Sequence, residues 1–507
     1  MENWKRWPDD RRGLYLLLFI SLLLKGIMVA CSDVVNDDGT LYISAAQEFA
    51  KGNFREGLSI YPMPFYSLLI VVSHWVIPQW VLAGQTISFL ALGLAVIPLY
   101  MTIRLLFGPA EAFWGGMVFV VAPWFNDLAT DVVRDPAFLF FFSWALYFGV
   151  CAVTQSRTRD YIFASIFSIS AFLCRIEAVV FPLAFLVVLV ILLVWDRKER
   201  MTRLKGIGLF LSVPAILFLI FQLAADTQVF SFNRISEIAK YFEGFLHLNF
   251  LDSYRTIYEQ MKDLEQTMPG WSLSRSFSEI TRYNLWLIYL LGLFQGIFKI
   301  LFPYMVIPFV AGFAGRCGLN RGHVFLLALS AAYVVACYIY HVKMNFIDTR
   351  YLIVPAILFL PWIGVGIARF FDRAHNTARP RIAVLSLLLI FVLVPFVKSV
   401  DVTWREEDDA VKQAGLWLDR QPESDAISMI CTDRRIPFYS GRGVNYLHFD
   451  GKDYREMEQI AVKDKIDLLV IEDSKKRLPE PLAFEYYEIW KMIESPKNIA
   501  FIYRKKS

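Results

Sequence analysis

Long apolar stretches separated by short polar ones recur along most of the chain. A membrane-crossing helix needs about 20 mostly apolar residues. The pattern predicts such spans at 13–31, 81–103, 111–127, 136–153, 161–177, 178–195, 206–224, 299–315, 323–341, 351–370 and 382–399. A further stretch, 285–298, is either a twelfth span or a helix lying at the interface. The run from 160 to 195 is broken by Arg175, Glu177 and Pro182, which divide it into two spans joined by a tight turn. The first stretch has a basic flank like that of a signal peptide, but no small-residue cleavage site follows, so it is expected to stay as an anchor.

Beyond residue 400 the pattern changes. The charged run Arg405–Asp409 opens a helical pattern that continues through Leu418. Apolar runs at Ala426–Cys431, Asp467–Ile471 and Ile499–Tyr503 have the length of short buried strands. The expected fold class is therefore a polytopic α-helical membrane protein with a small C-terminal α/β domain. The membrane domain is expected over 1–400, with a first outer loop at 32–80 and a large outer loop at 225–298. Within the large loop, apolar residues fall at helical spacing around Ile235–Phe250 and Tyr254–Met261. The soluble domain is expected over 401–507. No internal repeat or low-complexity linker is visible.

Composition agrees with the pattern. Of 507 residues 56% are hydrophobic, 16% aromatic and only 19% charged, with a mean hydropathy of +0.46. Soluble domains carry about 25% charged residues, so this is an integral membrane protein. A net charge of +4 is too small to suggest a nucleic-acid partner. The six cysteines and six histidines are scattered without metal-ligand or paired spacing. Lys and Arg set the orientation. Lys5, Arg6, Arg11 and Arg12 precede the first span. Alternate connections then carry Arg104, Arg157 and Arg159, the group 197–205, Arg316 and Arg321, and the group 369–381. The opposite connections hold single cations, or the pair Lys343 and Arg350. The N-terminus is thus expected in the cytoplasm and the C-terminus outside.

Outer acids carry the candidate chemistry. Asp37 and Asp38 follow the first span, and ionised groups near hydrocarbon are costly without a partner or a task. Asp38, Tyr42 and Ala46 fall on one helical face. The acids would stand at a helix N-terminus, which favours carboxylates and also permits a plain capping role. A second polar cluster, Asn126, Asp127, Asp131, Arg134 and Asp135, lies between spans three and four. Arg175 and Glu177 form a third.

These residues resemble the polyprenol-phosphate-dependent glycosyltransferases of the C-type fold, nearest in layout to protein O-mannosyltransferases and lipid A aminoarabinose transferases. The likeness lies in Asp38-x-x-x-Tyr42-x-x-x-Ala46 leading to Gly52-Asn53, in Tyr61-Pro62-x-Pro64-x-Tyr66, in Asp135 before Leu139–Phe142, and in Arg350-Tyr351-x-x-x-Pro355. It covers roughly 13–400. Relatives often have Asp-Glu where this chain has Asp37-Asp38, which leaves the reactive member of the pair open. The resemblance implies transfer of a monosaccharide from a polyprenyl phosphate, such as undecaprenyl phosphate, to a periplasmic glycan, lipopolysaccharide or protein hydroxyl. The setting implied is a bacterial inner membrane. Some relatives carry a divalent metal ion near the first-loop acid.

The chemistry needs few groups. Inverting transfer requires one base for the acceptor hydroxyl, and a phosphate leaving group calls for cations rather than a strong acid. Asp37 or Asp38 would supply the base, with Asp38 slightly favoured for its helical register with Tyr42. Lys343 and Arg350 would clamp the phosphate, with Arg134 and Arg175 as second choices, although interfacial snorkelling explains Lys343 and Arg350 equally well. Asp135 would orient base or acceptor, or simply cap its span or pair with Arg134. Tyr42, Tyr61 and Tyr351 are the accompanying substrate-binding candidates. Tyr439–Gly443 superficially resembles a Gly-rich phosphate loop, but it lacks the strand–GxGxxG–helix context and reads as an ordinary turn. A transporter or flippase of lipid-linked sugars is the alternative, and it would place charges deep in the spans and show paired halves.

Overall fold

A computed structural model describes residues 10–32, 34–224, 243–244, 247, 249–270, 272–315, 320–403, 409–421, 428–441, 445–451 and 453–506. Most of the helical spacing expected at 235–250, the charged run at 405–408, Arg316, Arg442 and Gly443 lie outside these residues.

The chain begins with helices α1 (Asp10–Ala30), α2 (Asp37–Ala50), α3 (Phe54–Ile60), α4 (Pro64–His74) and α5 (Trp80–Leu106). Next come α6 (Pro109–Val121), α7 (Pro123–Thr130), α8 (Asp135–Gln155), α9 (Thr158–Cys174), α10 (Val180–Trp195) and α11 (Arg200–Ala224). Then follow α12 (Asp252–Thr267), α13 (Leu273–Tyr283), α14 (Leu285–Ile300), α15 (Phe302–Ala314), α16 (Arg321–Met344) and α17 (Thr349–His375). A last apolar helix runs as α18 (Pro380–Leu388), a π-turn at Leu389–Leu393 and α19 (Val394–Thr403). The tail holds α20 (Asp409–Asp419), β1 (Ser428–Cys431), α21 (Arg435–Tyr439), β2 (Asn445–His448), α22 (Tyr454–Lys463), β3 (Leu468–Ser474), β4 (Tyr487–Glu494) and β5 (Asn498–Lys505).

All eleven expected spans are helical. Among the described residues, eight helices are long and apolar enough to cross a membrane, or up to ten if each of two bent helix pairs counts as one span. The remaining three expected spans are shorter helices, for identifiable reasons. Pro123 ends the stretch 111–127 early, dividing it into α6 and α7. Arg175 stops α9 at 17 residues. The stretch 299–315 breaks at Leu301. The bent pairs are α3 with α4, at 120°, and α13 with α14, at 72°.

The described chain forms two compact units. The first comprises 1–24, 90–126 and 134–399. Its most buried helix is α17, which small residues let its neighbours approach closely. A Cβ on Gly366 would run into the Pro308 carbonyl of α15, and one on Gly364 into the Glu111 carbonyl of α6.

The second unit comprises 25–89, 127–133 and 400–507. It contains a five-stranded sheet of order β2-β1-β3-β5-β4. β1 pairs in parallel with β2 and β3, while β5 runs antiparallel to β3 and β4. The period-2 alternation of strands puts Met429, Cys431, Leu468, Val470, Ala500 and Ile502 in one cluster with Ala410, Val411, Ala414 and Leu418 of α20. The intervening residues Ile430, Leu469, Ile471, Phe501 and Tyr503 cluster with Met457 and Ala461 of α22. In the same unit, α2 buries Tyr42, Ala45, Ala46 and Phe49, and the Tyr42 ring meets Tyr61 and Tyr66 edge-on at 4.7 and 5.2 Å.

Candidate functional site

Asp37 and Asp38 occupy the first turn of α2, where the orphan N–H groups and the helix dipole favour negative charge. The segment just before them is tied down at several points. The Gln85 side chain donates from Nε2 to the Ser32 carbonyl at 3.2 Å and to the Thr130 carbonyl at 3.0 Å. The Val132 amide donates to Asn36 Oδ1 at 2.8 Å, and the Val35 amide donates to the Tyr439 hydroxyl at 2.7 Å. Gly39 completes the packing, because a Cβ there would lie 2.7 Å from both Asn36 Oδ1 and Val35 Cγ2. Thr40 donates its hydroxyl to the Asp37 carbonyl at 2.7 Å.

Asp37 has charged company from the tail. Partial burial raises its carboxyl above the ordinary carboxylate range, and the carboxylates of Asp433 and Asp38 raise it further. Arg434 and Arg435 work against them by stabilising the ionised form. Arg435 also grips Asp433, with Nη2 at 2.6 Å from Oδ2.

A cavity of about 1010 Å³ opens within this unit, at the upper end of ordinary ligand pockets. One wall is a single face of α2, comprising Thr40, Leu41, Ser44, Gln47, Glu48 and Lys51. Asp37 heads that face in helical register. The tail contributes Lys412, Arg434, Phe438, Tyr439 and Tyr446, and the start of α5 contributes Trp80 and Gln85. Three cations and one carboxylate therefore line it, and Glu48 is bridged to Lys51 at 2.7 Å. Asp38 instead shares its face with Tyr42 and Ala46, which are buried in packing.

In the other unit, Asp135 and Arg175 are both buried and paired, Arg175 Nη1 donating to Asp135 Oδ1. The same guanidinium donates from Nη2 to Glu177 at 2.9 Å and sits 5.2 Å over the Tyr351 ring. Two carboxylates thus hold one cation, as a buried charge requires. Arg134 precedes this cluster at the start of α8. Lys343, in the last turn of α16, and Arg350, in the first turn of α17, are exposed on either side of a short connection. Asp348 caps α17 by accepting from the Arg350 amide at 3.2 Å.

The expected site residues therefore fall into two sets. Asp37, Asp38, Tyr42 and Tyr61 lie in the unit with the cavity, while Arg134, Asp135, Arg175, Lys343, Arg350 and Tyr351 lie in the other. Among the described residues, no group of three His, Cys, Asp or Glu could hold a metal ion. The arginines beside Asp37 do not fit a divalent-cation cradle either. Sequence reasoning missed Asp433 and Arg434, and set Tyr439 aside as part of an ordinary turn. They follow the carboxyl end of β1, a strand with parallel neighbours, and that is where α/β sheets place ligand sites.

Comparison with known proteins agrees with this architecture. Residues 62–223 match the family described as dolichyl-phosphate-mannose-protein mannosyltransferase. No curated protein matches the chain by sequence. Among solved structures, ArnT from Cupriavidus metallidurans bound to undecaprenyl phosphate is 13% identical, with a TM-score of 0.54 over 96% of this chain and 97% of that one. The oligosaccharyltransferase of Archaeoglobus fulgidus in its apo form is 12% identical, with a TM-score of 0.55 over 92% and 70%. The AglB structure from the same organism, in complex with an inhibitory peptide and a dolichol-phosphate, gives 11%, 0.54, 91% and 69%. These structural likenesses show that the chain has the fold of the C-type glycosyltransferases, and the family match extends over residues 62–223.

Proposed function

We propose that the enzyme transfers a monosaccharide from a polyprenyl phosphate to a hydroxyl of an envelope glycan, lipopolysaccharide or protein at the outer face of a bacterial inner membrane. The observation that carries this reading is the gathering of the acid pair, the tail cations and a large cavity within one unit of a C-type fold. The undecaprenyl phosphate and dolichol-phosphate of the solved neighbours support a lipid-phosphate donor.

The acceptor hydroxyl binds in the cavity. A first-turn carboxylate takes its proton as the oxygen attacks the anomeric carbon, and the bond from that carbon to the phosphate oxygen breaks. The phosphate leaves with the electron pair, so the sugar inverts and no strong general acid is needed. Asp37 is the preferred base, because it shares the cavity face and its partial burial raises its affinity for protons. The tail cations that line the cavity, Lys412 and Arg434, neutralise the departing phosphate.

The test uses the purified full-length enzyme, a panel of radiolabelled undecaprenyl-phosphate monosaccharides and bacterial membrane extract. Asp37→Asn is expected to lower label transfer by at least 10²-fold, the order of a lost general base. Undiminished transfer by both Asp37→Asn and Asp38→Asn would remove the carboxylate base from the mechanism.

A further inference from the structure

Tyr439 is the last residue of α21, a five-residue helix in the tail. Its hydroxyl accepts the amide of Val35, 404 positions earlier in the chain. Val35 is buried and lies in the non-helical stretch just ahead of α2, where no helix ladder can take its N–H. A hydroxyl from elsewhere is what that amide requires, and phenylalanine could fill the same volume without providing one.

The lever behind the hydroxyl is fixed. Ile436 of the same helix is buried in the cluster beneath the sheet, and Ser440 donates its hydroxyl to the Pro437 carbonyl at 2.7 Å. At the other end of the helix, Asp433 and Arg434 act electrostatically on Asp37. The tail thus meets the acid segment twice, through a hydrogen bond two residues before Asp37 and through charge at Asp37 itself.

We infer that Tyr439 is a positioning residue for transfer: its hydroxyl fixes the backbone at Val35 and so sets where the first-turn carboxylate meets the acceptor. The C-terminal domain is then part of the catalytic apparatus rather than an appended module. This rests on the reading of a first-turn aspartate as base. A base displaced by about 1 Å costs on the order of 10²-fold in rate, whereas donor affinity, which depends on other groups, is not affected.

The experiment compares wild type, Tyr439→Phe and Asp37→Asn as full-length proteins in lipid nanodiscs. It uses the labelled undecaprenyl-phosphate monosaccharide that the wild type consumes, with membrane extract as acceptor. Tyr439→Phe is expected to lower kcat by roughly 10- to 100-fold with the donor KM within about twofold. Hydrogen exchange should quicken in peptides covering 32–38 and stay slow in β3. A wild-type kcat in Tyr439→Phe alongside an inactive Asp37→Asn overturns the positioning role and leaves the base standing. Transfer undiminished in both Asp37→Asn and Asp38→Asn overturns both. If β3 also loses protection, the tail has unfolded, and 3-fluorotyrosine at 439 replaces phenylalanine. Being nearly isosteric with a weaker acceptor oxygen, it should give a kcat between wild type and the expected Phe value, and an unchanged kcat would refute the proposal.

Discussion

Asp37 shares its helix face with Leu41, Ser44 and Glu48 on the cavity wall, whereas Asp38 shares its face with buried Tyr42 and Ala46. That difference of one position turns a chemically symmetrical pair into two environments. A base works only when ionised, so with Asp37 as the proposed base the groups around it set the acid limb of the pH–rate profile. Burial, Asp433 and Asp38 raise its carboxyl, while Arg434 and Arg435 lower it. The limb is therefore expected above the ordinary carboxylate value of about 3.9, with activity rising as pH passes through it. Asp433→Asn removes one carboxylate and releases Arg435 from its pair, so the limb should move to lower pH. Arg434→Gln removes a cation that favours the ionised form, so it should move to higher pH. Measuring kcat/KM for label transfer against pH in the three proteins checks both signs, and shifts in the same direction would show that Asp37 is not the titrating base.

At the level of elements, α13 shows what a bent helix pair is for. Leu273, Phe277 and Ile280 recur at i, i+4 and i+7 and are 89%, 71% and 62% exposed. The other side of the helix is pinned, because Arg282 donates to Glu265 of α12 at 2.8 and 3.0 Å and to the Tyr258 hydroxyl at 2.8 Å. At the junction Tyr283 and Trp286 are exposed, and α14 continues with exposed Leu291, Phe294 and Phe298. Amphipathic α13 thus extends an apolar surface round a 72° bend, as a helix in the interfacial plane does. A fluorophore on Phe277→Cys should be quenched by brominated acyl chains in nanodiscs, and one on Glu279→Cys should not. Equal quenching would mean that the apolar side of α13 does not face lipid.

The sequence made α14 legible as an apolar stretch, and likewise every span and the three central strands, because burial imposes a period on them. β2 and β4 were not legible, since they are edge strands whose residues are largely exposed and show no clean alternation. The ties at the candidate site were hidden for a different reason. Arg175 finds Asp135 forty positions away, and Tyr439 finds Val35 across almost the whole chain. Periodicity within an element marks which face is buried but says nothing about its partner.

At the scale of the whole molecule, the hydrogen bond between Val35 and Tyr439 constrains topology. Both residues belong to one compact unit, so the first loop and the tail must lie on the same side of the membrane. The chain between them must then cross an even number of times. Of the eight helices that qualify by length and composition, α1 precedes the first loop and seven follow it. Seven is odd, so an odd number of the remaining candidates must also cross. Those candidates are α6 with α7, α9, α15 and the bent pairs α3–α4 and α13–α14. The eleven-span reading meets the condition, because it adds the first three and counts neither bent pair as a crossing. Shortness does not exclude them, since a bilayer can thin locally around a short apolar helix at modest cost. In a background lacking native cysteines, Ser59→Cys in the first loop and Lys476→Cys in the tail are both exposed positions. A membrane-impermeant maleimide applied to intact spheroplasts should label both, while Arg159→Cys, between α8 and α9, should react only after permeabilisation. Labelling of Ser59→Cys and Lys476→Cys from opposite sides would be incompatible with one unit containing both, and would dissolve the cavity along with it.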